Sequence, residues 1–138
     1  MQDKLLNILL VEDDEVDVMN VRRAFKNNNI GNPLWVAENG LEALDMLRGT
    51  EIPRERRLVL LDLNMPKMNG IEFLRDLRAD DALRGTSVVV LTTSNDDRDR
   101  VEAYNLNVAG YILKPVTFSN FCQVMATLNK YWALVEMP

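Results

Sequence analysis

The chain has 138 residues, 16 basic against 21 acidic, for a formal charge of −5 and a pI near 4.8, which removes any general electrostatic ground for binding DNA, RNA or an anionic membrane. Its one cysteine, Cys122, cannot close an internal disulfide, and the absence of histidine excludes His-based triads and His-ligated zinc. The length suits one domain over 1–138; Asp3 and Lys4 precede too short an apolar run for a signal peptide, and no segment approaches the ~20 apolar residues of a membrane span, so a cytoplasmic protein is expected.

Leu5 to Val11 reads as a buried strand that runs into Glu12, Asp13, Asp14, Glu15 and Asp17. Carboxylates in a first helical turn are stabilised by the helix dipole, which accounts for Asp14 or Glu15 and for Asp17. Val18, Val21 and Phe25 predict a first helix that ends near Asn27 to Asn29. Pro33 to Ala37 is a short second strand with its proline at the start. Asn39 and Glu42 have the spacing of a helix start, and Leu41, Leu44 and Leu47 carry a second helix to Gly49. Residues 50–57 form a polar connection whose Arg54, Arg56 and Arg57 read as a solvated loop, with nucleic acid as the lesser alternative.

Leu58 to Leu61 is a four-residue apolar run, a fully buried strand with Asp62 at its end and Met65-Pro66 beyond. Asn69 and Glu72 repeat the helix-start spacing, and Ile71, Leu74 and Leu77 predict a third helix fading near Asp80 and Asp81. Ser87 to Leu91 is a β-branched fourth strand followed by Thr92, Thr93 and Ser94. A fourth helix, roughly Asp97 to Asn107, has a poor stripe of Val101, Tyr104 and Leu106 and is a candidate for movement. Ala109 to Leu113 is the fifth strand, ending at Lys114-Pro115. The last helix, from about Phe118, has the strongest stripe: Phe118, Phe121, Met125, Leu128 and Trp132, with Cys122 beside it as a small apolar residue. Strands alternating with helices imply an α/β fold with a parallel sheet and right-handed crossovers.

In such a sheet, ligands bind beyond the carboxyl ends of the strands. The residues expected there are Glu12 and Asp13 after the first strand, Asp62 after the third, Thr92 after the fourth and Lys114 after the fifth. Three carboxylates in a partly desolvated cleft raise one another's pKa values, and a divalent cation resolves the conflict. An all-oxygen site suits Mg²⁺ or Mn²⁺ rather than zinc. A carboxylate beside such a cation can attack a phosphoryl group. Asp62 is the central acid and the expected nucleophile, Glu12 and Asp13 the metal holders, Lys114 the counter-charge and Thr92 a hydroxyl donor.

The motifs ILLVEDD, LVLLDLNMPKMNG, VVVLTTS and YILKP together resemble the receiver domain of two-component response regulators, the CheY-like chemotaxis regulator among them, over essentially the whole chain. The resemblance implies a flavodoxin-like, doubly wound five-stranded (βα)5 sheet in the order 2-1-3-4-5. It implies phosphorylation of Asp62 by a phosphohistidine on a sensor histidine kinase or histidine phosphotransfer protein, with Mg²⁺ held by Glu12, Asp13, Asp62 and the main-chain carbonyl of Asn64. It also implies a switch in which Thr92 is drawn toward the phosphate and Tyr111 turns inward, with an ordinary half-buried strand tyrosine as the lesser alternative for Tyr111, and a cis bond at Lys114-Pro115. Two departures are small: Glu12 stands where Asp is commoner, and extra length between Asp13 and Asp62 falls in the loop 50–57.

No output domain is expected beyond the last helix, and the signal is expected to pass by association. The apolar end of the chain (131–138), an extension of the last helix, suits either a dimer or partner surface on the last helix and strand, or packing on its own domain. The ending and the long loop are similar to small stand-alone receivers that serve bacterial phytochrome-type histidine kinases. Two other classes share elements of the pattern. A Mg²⁺-dependent phosphohydrolase of the haloacid-dehalogenase kind normally has a second Asp where this chain has Asn64. A flavodoxin-like binding module needs a phosphate loop where this chain has acids.

Overall fold

A computed structural model describes residues 5–27, 30–65, 68–114 and 118–134, leaving out the side chains of Phe118, Ser119, Phe121 and Cys122. The elements alternate: β1 (Asn7–Val11), α1 (Glu15–Asn27), β2 (Leu34–Ala37), α2 (Gly40–Arg48), β3 (Arg57–Leu61), α3 (Gly70–Ala79), β4 (Ser87–Thr92), α4 (Asp97–Asn105), β5 (Gly110–Leu113) and α5 (Phe118–Leu134). All four strand pairings are parallel and the sheet order is β2-β1-β3-β4-β5, the expected doubly wound α/β arrangement.

Because side chains alternate along a strand, the central runs feed two cores. Leu9, Val11, Val59, Leu61, Val88 and Val90 meet α2, α3 and α4 on one face. Ile8, Leu10, Leu58, Leu60, Val89 and Leu91 meet α1 and α5 on the other. Burial on both faces is why these strands read as unbroken apolar runs. Helix starts follow the Asn signals: Asn39 Oδ1 accepts from the Glu42 N–H, and Asn69 with Glu72 forms a complete capping box.

Several expectations are corrected. Leu41 is exposed, and α2 buries Ala43 with Leu44 and Leu47. On α4, Val101 and Tyr104 are exposed and Ala103 is the buried residue, so that helix is held by even less than its sequence suggests; it ends at Asn105, and Asn107 turns into the left-handed region with φ 63°. The loop 50–57 is not simply solvated. Ile52 is buried, and the buried Arg57 guanidinium donates to the carbonyls of Pro53, Leu47 and Ile52 at 2.9, 2.9 and 2.7 Å. Arg56 donates to the Trp132 carbonyl at 2.9 Å, tying the loop to α5. On α5, Met125 and Trp132 are buried and Leu128 packs against the same core. The expectations for Phe118, Phe121, Cys122, the Lys114-Pro115 bond and 135–138 lie outside the described residues.

Candidate phosphoacceptor and metal site

The sheet register places Glu12, Asp62 and Lys114 one step past the last paired residue of their strands, and Thr92 at the last paired position of β4. Val11 pairs with Leu61 and Thr92 with Leu113. The next backbone groups remain anchored to the neighbouring strand: Glu12 N–H donates to the Ala37 carbonyl at 3.0 Å, Asp62 N–H to Val11 at 3.0 Å, and Lys114 N–H to Thr92 at 2.8 Å. Glu12, Asp62 and Lys114 therefore have their positions set by the ladder.

Gly70 closes the floor behind Asp62. A Cβ there would lie 2.7 Å from both the Asp62 carbonyl oxygen and Leu63 Cα, so the start of α3 can approach the β3 end only without a side chain. Glu12, Asp62 and Thr92 are buried, whereas Asp13 is exposed. Glu12, Asp13 and Asp62 each offer a carboxylate oxygen, and these oxygens lie within 4.8 Å of one another.

Lys114 points into the cluster. Its side chain is 11% exposed, and its ammonium donates to Glu12 Oε1 and to Asp17 Oδ2 (2.8 Å) and stands 3.9 Å from Asp62 Oδ2. Thr92 Oγ1 donates to Asp62 Oδ1 at 2.9 Å. Asn64 N–H donates to the same oxygen at 3.2 Å, and the Asn64 side chain reaches Thr93 Oγ1 at 3.2 Å. Tyr111 is half-buried, its hydroxyl donates to the Ser94 carbonyl at 2.9 Å, and the Arg100 guanidinium carbon lies 5.7 Å from its ring centroid. Tyr111 thus faces the β4–α4 loop, separated from Asp62 by Ser94 and Thr92.

Electrostatics follow from this packing. Burial pushes the Glu12 carboxyl up to about 7, with the Lys114 hydrogen bond opposing the rise and the Asp62 charge adding to it. Burial alone would lower Lys114, but its hydrogen bonds to Asp17 and Glu12 outweigh that and hold the ammonium above its ordinary range. Two buried carboxyl groups, Glu12 and Asp62, beside an exposed one within ligand distance, are the donor set of a hard divalent cation. The cluster fits such an ion.

Asp17 is the residue that sequence reasoning missed. An acid in a first helical turn is adequately explained by the helix dipole, and Asp14 serves as that cap, its Oδ1 accepting from the Val16 and Asp17 N–H groups at 2.8 and 3.2 Å. The contact of Asp17 with Lys114 spans 97 positions of sequence, and no local signal announces it.

A family model for the response regulator receiver domain matches residues 8–126. The chain belongs to this family. As a receiver domain it is a two-component signalling protein, which sets aside the phosphohydrolase and flavodoxin-like readings. It is 38% identical over 130 residues to the probable methanogenesis regulatory protein FilR2 of Methanothrix harundinacea, covering 91% of this chain and 82% of that protein. Among solved structures it resembles the phosphorylated cyanobacterial phytochrome response regulator RcpA (32% identity, 98% of this chain and 99% of that one, TM-score 0.80). It also resembles the Mn²⁺-bound form of response regulator Rcp1 of Synechocystis (33% identity, 96% and 99% covered, TM-score 0.76). No described helix is long and apolar enough to cross a membrane.

Proposed function

We propose that this receiver accepts a phosphoryl group on Asp62 from a phosphohistidine of a sensor histidine kinase or histidine phosphotransfer protein, and passes the signal on by protein association. The observation that carries this reading is the convergence of a buried carboxylate, a hydroxyl donor and an inward ammonium on one sheet edge: Asp62, Thr92 and Lys114. Phosphorylated RcpA and Mn²⁺-bound Rcp1 support it as relatives of high coverage.

In this mechanism an Asp62 carboxylate oxygen attacks phosphorus, the P–N bond of the donor breaks, and its electron pair returns to the imidazole. The Lys114 ammonium offsets charge on the transferring oxygens, and the Thr92 hydroxyl, already directed at Asp62, donates to one of them. Glu12, Asp13, Asp62 and the Asn64 main-chain carbonyl would hold Mg²⁺ or Mn²⁺. The bound cation supplies further neutralisation of the phosphoryl oxygens.

New phosphoryl oxygens compete for the Thr92 hydroxyl, and Tyr111 responds through Ser94. The protein is a phosphoprotein switch with slow self-catalysed transfer and hydrolysis, not an enzyme with a free substrate. Its output surface is the β5 and α5 face, where a homodimer or a target can dock. The likeness to phytochrome regulators favours a phytochrome-type kinase upstream in the cytoplasm.

The test is phosphate uptake from acetyl phosphate with Mg²⁺. The wild type is expected to incorporate phosphate and Asp62→Asn to incorporate none; equal labelling of both would mean another acceptor.

A further inference from the structure

Three acids surround one ammonium, and they are not equivalent. Lys114 donates to Glu12 Oε1 and to Asp17 Oδ2, the latter at 2.8 Å, and stays 3.9 Å from Asp62 Oδ2. That last distance is beyond hydrogen-bond range, so neither Asp62 oxygen is occupied by the lysine. Glu12 and Asp62 also belong, with Asp13, to the carboxylate cluster that fits a cation; Asp17 does not.

Glu12 is therefore claimed twice, by Lys114 and by the metal, and the two cations repel when they share it. Asp17 is claimed once. It reaches Lys114 from the first turn of α1 with its side chain 38% exposed, so its carboxylate can serve the lysine without the desolvation that burdens Glu12.

We propose that Asp17 is a positioning residue: it gives Lys114 a carboxylate outside the metal cluster, which frees Glu12 for the divalent cation and keeps the ammonium beside Asp62. The inference rests on the roles assigned above to Lys114 and the acidic cluster. Without Asp17, Lys114 has, among the described residues, only the metal-binding acids to pair with and competes with the cation for them.

The test is a calorimetric Mg²⁺ titration of the wild type, Asp17→Asn, Lys114→Met and the double variant, run well above the Glu12 pKa. Asp17→Asn is nearly isosteric at a partly exposed site, and Asp17→Glu tests whether any carboxylate there suffices. With Lys114 present, Asp17→Asn is expected to weaken Mg²⁺ binding roughly fivefold, a coupling of the size found between contacting charged groups. In the Lys114→Met background the same change is expected to alter affinity by no more than about twofold, the residue of long-range charge alone. Asp17→Glu is expected to recover most of the wild-type affinity.

An equal loss in both backgrounds would mean that Asp17 acts only as one more negative charge, and would overturn the proposal, as would unchanged affinity in Asp17→Asn. Lys114→Gln provides a second neutral background for the comparison. A wild type that binds no Mg²⁺ overturns the metal site itself, an outcome distinct from normal wild-type binding with no Asp17 effect.

Discussion

Thr92 Oγ1 donates to Asp62 Oδ1 at 2.9 Å, and the same hydroxyl oxygen accepts from the Ser94 N–H at 3.2 Å. The Ser94 carbonyl in turn accepts from the Tyr111 hydroxyl at 2.9 Å. Three hydrogen bonds thus join the candidate acceptor on β3 to an aromatic ring on β5, with Thr92 as the link that a phosphoryl group would draw away.

Thr92→Val keeps the side-chain volume and removes the donor. It should cost about 1 kcal/mol of stability for the lost hydrogen bond. Beryllofluoride with Mg²⁺ should still bind this variant, while the amide shift at Tyr111 seen in the wild type should largely disappear. A full shift at Tyr111 would mean that the signal reaches β5 by another route.

Gly70→Ala puts a methyl group against backbone atoms of Asp62 and Leu63 that cannot rotate out of the way. Alanine favours a helix by up to ~1 kcal/mol over glycine, but overpacking of this kind costs about 1–3 kcal/mol and moves the strand end. Urea unfolding should show a lowered midpoint, and phosphate uptake should fall with it. A variant as stable and active as the wild type would show that α3 can retreat at no cost.

Glu12 gives the site a pH dependence with a definite sign. Its carboxyl titrates at about 7 in the folded protein against an ordinary 4.5, so between those values the folded state holds a proton that the unfolded chain releases. This group's contribution to metal-free stability therefore falls as pH rises from 4.5 through 7. Mg²⁺ must displace that proton, so the rise in Tm at fixed Mg²⁺ should be larger at about pH 8 than at about pH 6. Glu12→Gln should flatten the difference. An equal Mg²⁺ effect at both pH values in the wild type would place the proton elsewhere.

Arg57 is a stability residue far from the chemistry. Its guanidinium satisfies three backbone carbonyls from inside the fold. Arg57→Met should cost at least about 2 kcal/mol in urea unfolding, because buried acceptors are left unpaired. Mg²⁺ affinity of the folded variant should be unchanged. A variant of wild-type stability would mean that water replaces the guanidinium freely.

The sheet was legible because β1, β3 and β4 are buried on both faces, and runs such as Leu58 to Leu61 have no polar interruption to obscure them. The strand-end acids, Thr92 and Lys114 were legible for the same reason, since each breaks an apolar run. The α4 stripe misled because its large apolar residues, Val101 and Tyr104, face solvent while the small Ala103 makes the contact. Arg57 misled because its partners are main-chain carbonyls, which carry no side-chain signature. Asp17 lay hidden behind a sufficient local explanation; only the fold brings Lys114 to it.

The phosphoryl position itself is the most direct test of the central claim. Protein treated with acetyl phosphate and Mg²⁺ can be reduced with borohydride, which converts an aspartyl phosphate to homoserine, and the peptide then sequenced by mass spectrometry. The account predicts homoserine at position 62 alone, lost when Mg²⁺ is chelated. Modification at position 13 instead, or none at position 62 in protein that has taken up phosphate, would contradict it.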